Sequence, residues 1–172
     1  ETDDSNSEAG RGFNGVALVR EFESTGVEIE FTADFENISI FGGLTYTDAE
    51  IAGANDPSVV GNVPRRQPDL IYSGTAAYNI SEHSVGISFF GRSDSFVGDD
   101  NTNELDGYLT FNAYVSLAIA ENLVARLSVN NLTDEIGITE AEGGFQTVNG
   151  FDVIRGRSIL GRSSTLELRY EF

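Results

Sequence analysis

The 172-residue chain has no cysteine, no methionine, no tryptophan and no lysine. Without cysteine there are no disulfides and no thiolate metal centres, and the redox compartment stays open. Without methionine, residue 1 is not expected to be a translation start, so the chain reads as a mature or cut product with no signal peptide left. Ten arginines stand against 28 acidic residues, giving a formal net charge of −18. Phosphate backbones are gripped by clustered positive charge, so no nucleic-acid partner is expected. Anionic head groups would also be repelled unless divalent cations bridged them. No run of 18 apolar residues exists, which excludes a transmembrane helix but not membrane strands, whose hydropathy per segment is weak. The single histidine, His83, sits in a short polar turn and leaves no base for a nucleophile–base–acid hydrolytic site. No cofactor is expected.

What the chain does have is period-two alternation, the signature of β-strands. It is clearest at the end, where Leu166, Leu168, Tyr170 and Phe172 alternate with Glu167, Arg169 and Glu171. The same pattern puts Val27, Ile29, Phe31, Ala33 and Phe35 on one face, then Ile40, Leu44 and Tyr46, then Leu70, Tyr72, Ala76 and Tyr78. Val85, Ile87 and Phe89 follow, then Leu109 through Ile119 at every second position, and Leu123, Ala125, Leu127 and Val129. Seven good strands result. A doubtful eighth spans residues 13–22, with a turn expected at 23–25, after a polar terminus over residues 1–12.

The connections alternate in length. Short turns fall at 36–38, 80–84 and 121–122. Long polar stretches fall at 51–68, which holds all three prolines, at 92–106, and at 131–162, where a short hairpin is possible around 151–154. Strands of about nine to thirteen residues are long for a soluble sandwich and suit a tilted membrane crossing. Short turns on one rim and long loops on the other are the arrangement of outer-membrane barrels. Phe35, Tyr78, Tyr170 and Phe172 gather near the short-turn rim, as rings at a lipid–water boundary do. A soluble β-sandwich remains the competing arrangement on these residues alone.

Several stretches, taken in order, resemble the C-terminal part of the barrel of TonB-dependent outer-membrane receptors. They are Gly26-Val27-Glu28, Gly42-Gly43-Leu44-Thr45-Tyr46-Thr47-Asp48-Ala49, Asn62-Val63-Pro64-Arg65-Arg66-Gln67-Pro68, Ser128-Val129-Asn130-Asn131-Leu132-Thr133-Asp134, Ser158-Ile159-Leu160-Gly161-Arg162 and the terminal Tyr170-Glu171-Phe172. The resemblance covers residues 13–172. It implies an all-β, antiparallel transmembrane barrel, of which this chain supplies about eight of 22 strands. The plug domain and the energy-coupling box are missing. It implies energy-coupled import of a scarce nutrient such as a ferric siderophore, cobalamin or a glycan, in the bacterial outer membrane, with the C-terminus on the periplasmic side. Implied partners are the plug and remaining strands, a TonB-type energy-transducing protein, the barrel assembly machinery, lipopolysaccharide and a small-molecule substrate. The alternative is a self-contained small barrel with a structural or adhesion role.

Candidate site residues fall into four groups. Glu28, Glu30, Asp34, Arg126, Asn130, Glu167, Arg169 and Glu171 form the alternate polar row and are expected to line an interior. There they either contact a plug or pair across strands, as Arg126 would with Glu167. Arg65, Arg66, Arg155 and Arg157 lie in or beside the long loops and either grip an anionic ligand or pair with loop acids. Arg162 poses the same choice. Tyr170 and Phe172 look like the terminal signal read by the assembly machinery. Asp99, Asp100 and Glu104, with Asp94 and Asp106, make an acidic loop that offers oxygens to calcium without the spacing of an EF-hand.

Overall fold

A computed structural model describes residues 19–142, 146–149 and 151–172. The polar terminus expected at residues 1–12 and most of the doubtful strand lie outside the described residues. Seven strands form one antiparallel sheet: β1 (Arg20–Asp34), β2 (Ile38–Ala54), β3 (Leu70–Ile80), β4 (His83–Arg92), β7 (Tyr108–Ala120), β8 (Leu123–Asn130) and β13 (Ser163–Tyr170). Each pairs with its neighbour in sequence order, so the sheet is a simple meander with β1 and β13 at its two ends. The loops hold short strands: β5 (Ser95–Phe96) with β6 (Glu104–Leu105), β9 (Ile138–Ala141) with β12 (Gly156–Ser158), and β10 (Gln146–Val148) with β11 (Phe151–Val153).

The alternation in each strand becomes a common face only if the registers agree, and they do. Ile29 stands opposite Leu44, which stands opposite Tyr72. Tyr72 is opposite Gly91, and Gly91 is opposite Leu109. Farther down, Val115 is opposite Leu127, which is opposite Leu166. A one-residue slip in any pair would have sent half of these side chains to the other side. The result is one continuous apolar face on which none of the described residues packs: Phe31 is 56% exposed and Leu168 63%. Monomeric soluble proteins rarely leave so large an apolar surface uncovered. The opposite face carries Glu28, Thr45, Ser73, Ser88, Asn112, Ser128 and Glu167, together with Phe41, Phe90, Tyr108 and Tyr114.

Glycines of the sheet sit opposite rings. Gly42 faces Phe31, Gly74 faces Phe89, Gly86 faces Tyr114 and Gly91 faces Tyr72. In all four pairs the ring lies over the bare backbone, where a Cβ would collide with it. Bare glycine backbone inside a strand has no side chain of its own to pack, and the rings cover it.

Two expectations need correction. The turn at 23–25 does not exist, because β1 runs unbroken from Arg20 and residues 23–25 pair with Glu50, Ala49 and Asp48. β2 likewise continues to Ala54, four residues into what reads as loop. Both strands project past the rest of the sheet as a long ribbon, held by ladder hydrogen bonds that polarity alone does not forbid. Among the described residues seven strands make the main sheet, and it is open. β1 and β13 do not pair with each other, as a self-contained barrel would require.

The buried apolar residues lie at the long-loop end. Ile51 is fully buried, and a one-turn 3-10 helix (Pro57–Val59) and the residues after it fold back over it. The Gly61 N–H donates to the Ile51 carbonyl, and the Ile51 N–H donates to the Asn62 carbonyl. Val97, Leu105 and Ala141, with Ile138 against them, form a small core between two other loops.

Candidate functional site

Three loops separated by long stretches of chain are knitted into one cap over the long-loop rim. The Asn62-Val63-Pro64-Arg65-Arg66 segment makes the first seam. Asn62 Nδ2 donates to the Asp99 carbonyl (2.8 Å), and the Val63 N–H donates to Asn101 Oδ1 (2.9 Å). Asn101 Nδ2 returns a bond to the Val63 carbonyl, and the Arg66 N–H donates to the Phe96 carbonyl. Arg66 and Asn101 both have positive φ, 62° and 51°, so each turns its chain sharply where the loops meet.

Asp99 closes this seam. One carboxylate oxygen lies 2.7 Å from Arg20 Nη2 at the start of β1, and the other accepts the Arg65 N–H at 2.9 Å. The side chain is almost fully buried, and a buried carboxylate needs such partners. Asp100 accepts from the Thr102 hydroxyl, and the Asp94 carboxylate accepts the Gly107 N–H. Glu104 stands exposed on β6. Among the described residues no three acidic or histidine side chains converge in a way that could hold a metal ion.

The second seam is ionic. Glu140 on β9 holds two arginines at once: Oε2 lies 2.9 Å from Arg66 Nη1, and Oε1 lies 2.9 Å from Arg157 Nη1 on β12. Arg66 Nη2 also donates to the Ala141 carbonyl. Beside this bridge is a cavity of about 260 Å³ walled by Arg66, Glu140, Glu142, Arg155 and Arg157. A second basin of about 590 Å³ also has Arg66 in its wall, together with Arg20, Arg65, Asp99 and Asp100. A third cavity of about 350 Å³ is lined by apolar Val97, Leu105, Ile136, Ile138 and Ile154, with Glu104 and Asp106 at its edge. The four loop arginines singled out from sequence are thus brought around two adjoining basins that share Arg66.

A buried arginine completes the cap. Arg92, at the end of β4, is 9% exposed; its guanidinium lies over the Tyr108 ring and donates to the Ile138 carbonyl. It fastens the sheet to the loop containing β9.

Residues 8–132 match the family described as TonB dependent receptor-like, beta-barrel, which is more than half of the chain. The chain belongs to this family. TonB-dependent receptors are outer-membrane transport proteins and not enzymes. No curated protein sequence is significantly similar to the chain. Solved structures with the same fold include the siderophore receptor PiuA from Acinetobacter baumannii, with a TM-score of 0.75 and 20% identity over 88% of this chain and 22% of that one. The ferric-catecholate import receptor Fiu from E. coli K12 in its closed form has a TM-score of 0.71 and 20% identity, covering 89% of this chain and 21% of that one. The ferric yersiniabactin uptake receptor FyuA from Yersinia pestis has a TM-score of 0.73 and 18% identity, covering 89% and 24%. The chain therefore spans about a fifth to a quarter of the length of these receptors.

Within this receptor-barrel fold, Glu28, Glu30, Asp34, Arg126, Asn130, Glu167 and Arg169 lie on the face opposite the apolar one, by register and alternation. Arg126 and Glu167 are direct cross-strand neighbours, as expected, yet the Arg126 guanidinium turns instead onto the Tyr114 ring, 3.8 Å from its centre. Arg169 pairs with Glu171 next along its own chain. Tyr170 and Phe172 make an edge-to-face contact, with ring centres 5.2 Å apart. His83 is exposed at the start of β4, and its Nδ1 accepts the Ala118 N–H at the irregularity in β7.

Sequence reasoning passed over Asn131, Glu140 and Arg20. Asn131 has a signal: it opens the Asn131-Leu132-Thr133-Asp134 stretch that carries part of the family resemblance. Its buried side chain exchanges two hydrogen bonds with the Glu135 backbone and donates to the Leu160 carbonyl. Glu140 and Arg20 show no local pattern, because their partners come from loops far away in sequence.

Proposed function

We propose that this chain is the loop-bearing C-terminal portion of an outer-membrane uptake receptor, and that its arginine-walled basins take up an anionic small molecule. The observation that carries the reading is the convergence of Arg66, Arg155 and Arg157 on one cavity in a chain whose net charge is −18. Planar guanidinium forks match carboxylate and similar oxyanions in two-point contacts. Siderophore and ferric-catecholate receptors share the fold, which supports iron chelates as the cargo class.

In this reading the apolar face lies against hydrocarbon, the polar face looks into the lumen of a 22-stranded barrel, and the C-terminus is periplasmic. Both edges of the sheet then pair with the receptor's other strands, since unpaired backbone N–H and C=O groups in lipid cost several kcal/mol each. Glu28, Glu30, Arg126 and Glu167 meet the plug, a TonB-type protein supplies the energy, and lipopolysaccharide surrounds the outer rim. Tyr170 and Phe172 form the signal for barrel assembly.

The test is import of labelled ferric chelate by cells that depend on this receptor under iron limitation. Arg66→Gln combined with Arg157→Gln is expected to raise the half-saturating chelate concentration roughly tenfold while leaving surface expression unchanged. Unaltered import by that double variant would sink the reading. So would a folded monomer of 18.6 kDa isolated from outer membranes with no companion strands.

A further inference from the structure

Glu140 sits where an anionic ligand of this cap would put its own carboxylate. Its two oxygens are each 2.9 Å from an arginine, and the two arginines belong to different loops. We propose that Glu140 is a built-in competitor: it occupies the anion seat formed by Arg66 and Arg157 until a polyanionic ligand displaces it. The proposal rests on the basin being a ligand site, as argued above, and adds a rule for which anions enter.

The physical argument is one of tethering. A carboxylate held on the same loop cap competes at an effective concentration on the order of millimolar or above. A free monocarboxylate exchanges one carboxylate for another of equal chemistry and gains nothing to offset that advantage. A ligand with two or three anionic groups also engages Arg155, whose side chain walls the same cavity. The displaced glutamate does not become a buried unpaired charge. Its side chain is about a third exposed and turns into water, and Arg157 is largely exposed too. Exposed ion pairs are worth little, so the seat is easily yielded to a better-matched anion. Glu142, beside Glu140 in the same wall, disfavours anions that fail to neutralise the arginines fully.

Displacement has a mechanical consequence. Glu140 is the ionic tie between the loop of Arg66 and the hairpin of β9 and β12. A ligand that takes both arginines becomes the ionic tie itself, alongside the Arg66–Ala141 hydrogen bond that also joins the two loops.

The experiment is calorimetric titration of the full chain, as isolated from outer membranes in detergent, with tricarballylate and with acetate. Tricarballylate has three carboxylates and no hydroxyl for gripping iron, so cargo chemistry does not enter. Glu140→Gln keeps the size and hydrogen-bonding reach of the side chain and removes its charge. It is expected to tighten tricarballylate binding roughly three- to tenfold and to bring acetate into measurable range. Arg157→Gln is expected to weaken tricarballylate binding at least fivefold in either background. Unchanged or weaker tricarballylate binding by Glu140→Gln overturns the proposal and makes Glu140 a positioning residue for the arginines. Chelate import left unaltered by Arg66→Gln combined with Arg157→Gln, with these binding shifts intact, would instead count against the uptake reading.

Discussion

The ring of Phe31 lies across the bare backbone of Gly42, its partner on the neighbouring strand. Gly26, on the same strand as Phe31, is crowded differently: a Cβ there would run into the Tyr46 carbonyl oxygen, part of the backbone itself. The distinction matters because a ring on the uncovered apolar face can swing aside and a backbone carbonyl cannot. Gly42→Ala is expected to cost under about 1 kcal/mol and Gly26→Ala about 2 kcal/mol or more, within the usual range for overpacking. Urea unfolding followed by the heat-dependent shift in gel mobility measures both. Equal losses at the two sites would show that the ring is as immobile as the backbone.

Asn131 should be the costliest single polar residue in the cap. It is 4% exposed, its φ of 50° suits asparagine, and its amide holds both the Glu135 backbone and the Leu160 carbonyl ahead of β13. Its own N–H donates to Asn112 Oδ1 on β7. Asn131→Gly keeps the backbone conformation and loses the side-chain bonds, so its cost isolates them at about 2–4 kcal/mol. Asn131→Ala adds left-handed strain and should cost more. Amide exchange at Glu135 should rise in both variants. Wild-type protection at that amide would refute the assignment.

These two residues show how much of the molecule the sequence makes legible. Strict alternation fixes strand existence, and the short turns fix register, so the apolar face from Ile29 to Leu166 can be read without coordinates. The ring-over-glycine pairs follow once register is known. The continuation of β1 through Glu23-Ser24-Thr25 is hidden, because ladder hydrogen bonds hold polar residues as readily as apolar ones. Arg66 and Arg157 are visible as candidates, but Glu140 between them is not. Its partners are 74 and 17 residues away, counted as 140 − 66 and 157 − 140, and no local pattern marks it.

Arg126 offers a test of which neighbour a strand arginine prefers. Its cross-strand partner is Glu167, but its guanidinium rests on the Tyr114 ring. Double-mutant cycles should give a coupling of about 0.5–2 kcal/mol for Arg126 with Tyr114, as for cation–ring pairs. Coupling with Glu167 should fall below about 0.5 kcal/mol at moderate salt. A larger value for the acid would restore simple charge pairing across β8 and β13.

Acid should loosen the loop that follows β2 before it touches the sheet. The Ser58 hydroxyl and, next, its backbone N–H donate to the Asp56 carboxylate at the start of the 3-10 helix, holding that carboxyl below its ordinary range. A carboxyl depressed in the folded loop contributes order that is present above its unfolded value near 3.8 and is lost as pH falls through the lower folded value. The Ser58 amide resonance should therefore shift with a midpoint below about 3.8. In Asp56→Asn that step should vanish while spectra at neutral pH stay close to wild type. A midpoint at or above the ordinary value would contradict the hydrogen-bonded cap.

Asp99 should behave as a structural clamp, because both its oxygens are committed. One faces Arg20 at the base of the β1 ribbon and the other takes the Arg65 N–H, so a single buried carboxylate joins a strand end to two loops. Asp99→Ala leaves the Arg20 guanidinium and the Arg65 N–H without their acceptor. Breaking a fully buried pair costs about 3–5 kcal/mol, and since Arg20 is a quarter exposed and can turn to water, about 2 kcal/mol is expected here. Asp99→Asn separates charge from hydrogen bonding: its Oδ1 can still accept the Arg65 N–H, and only the ion pair is lost. The loop over residues 93–107 should then be cut by protease fastest in Asp99→Ala, more slowly in Asp99→Asn, and slowest in wild type. If calcium alone restored protease resistance to Asp99→Asn, the acidic loop would be a cation site after all.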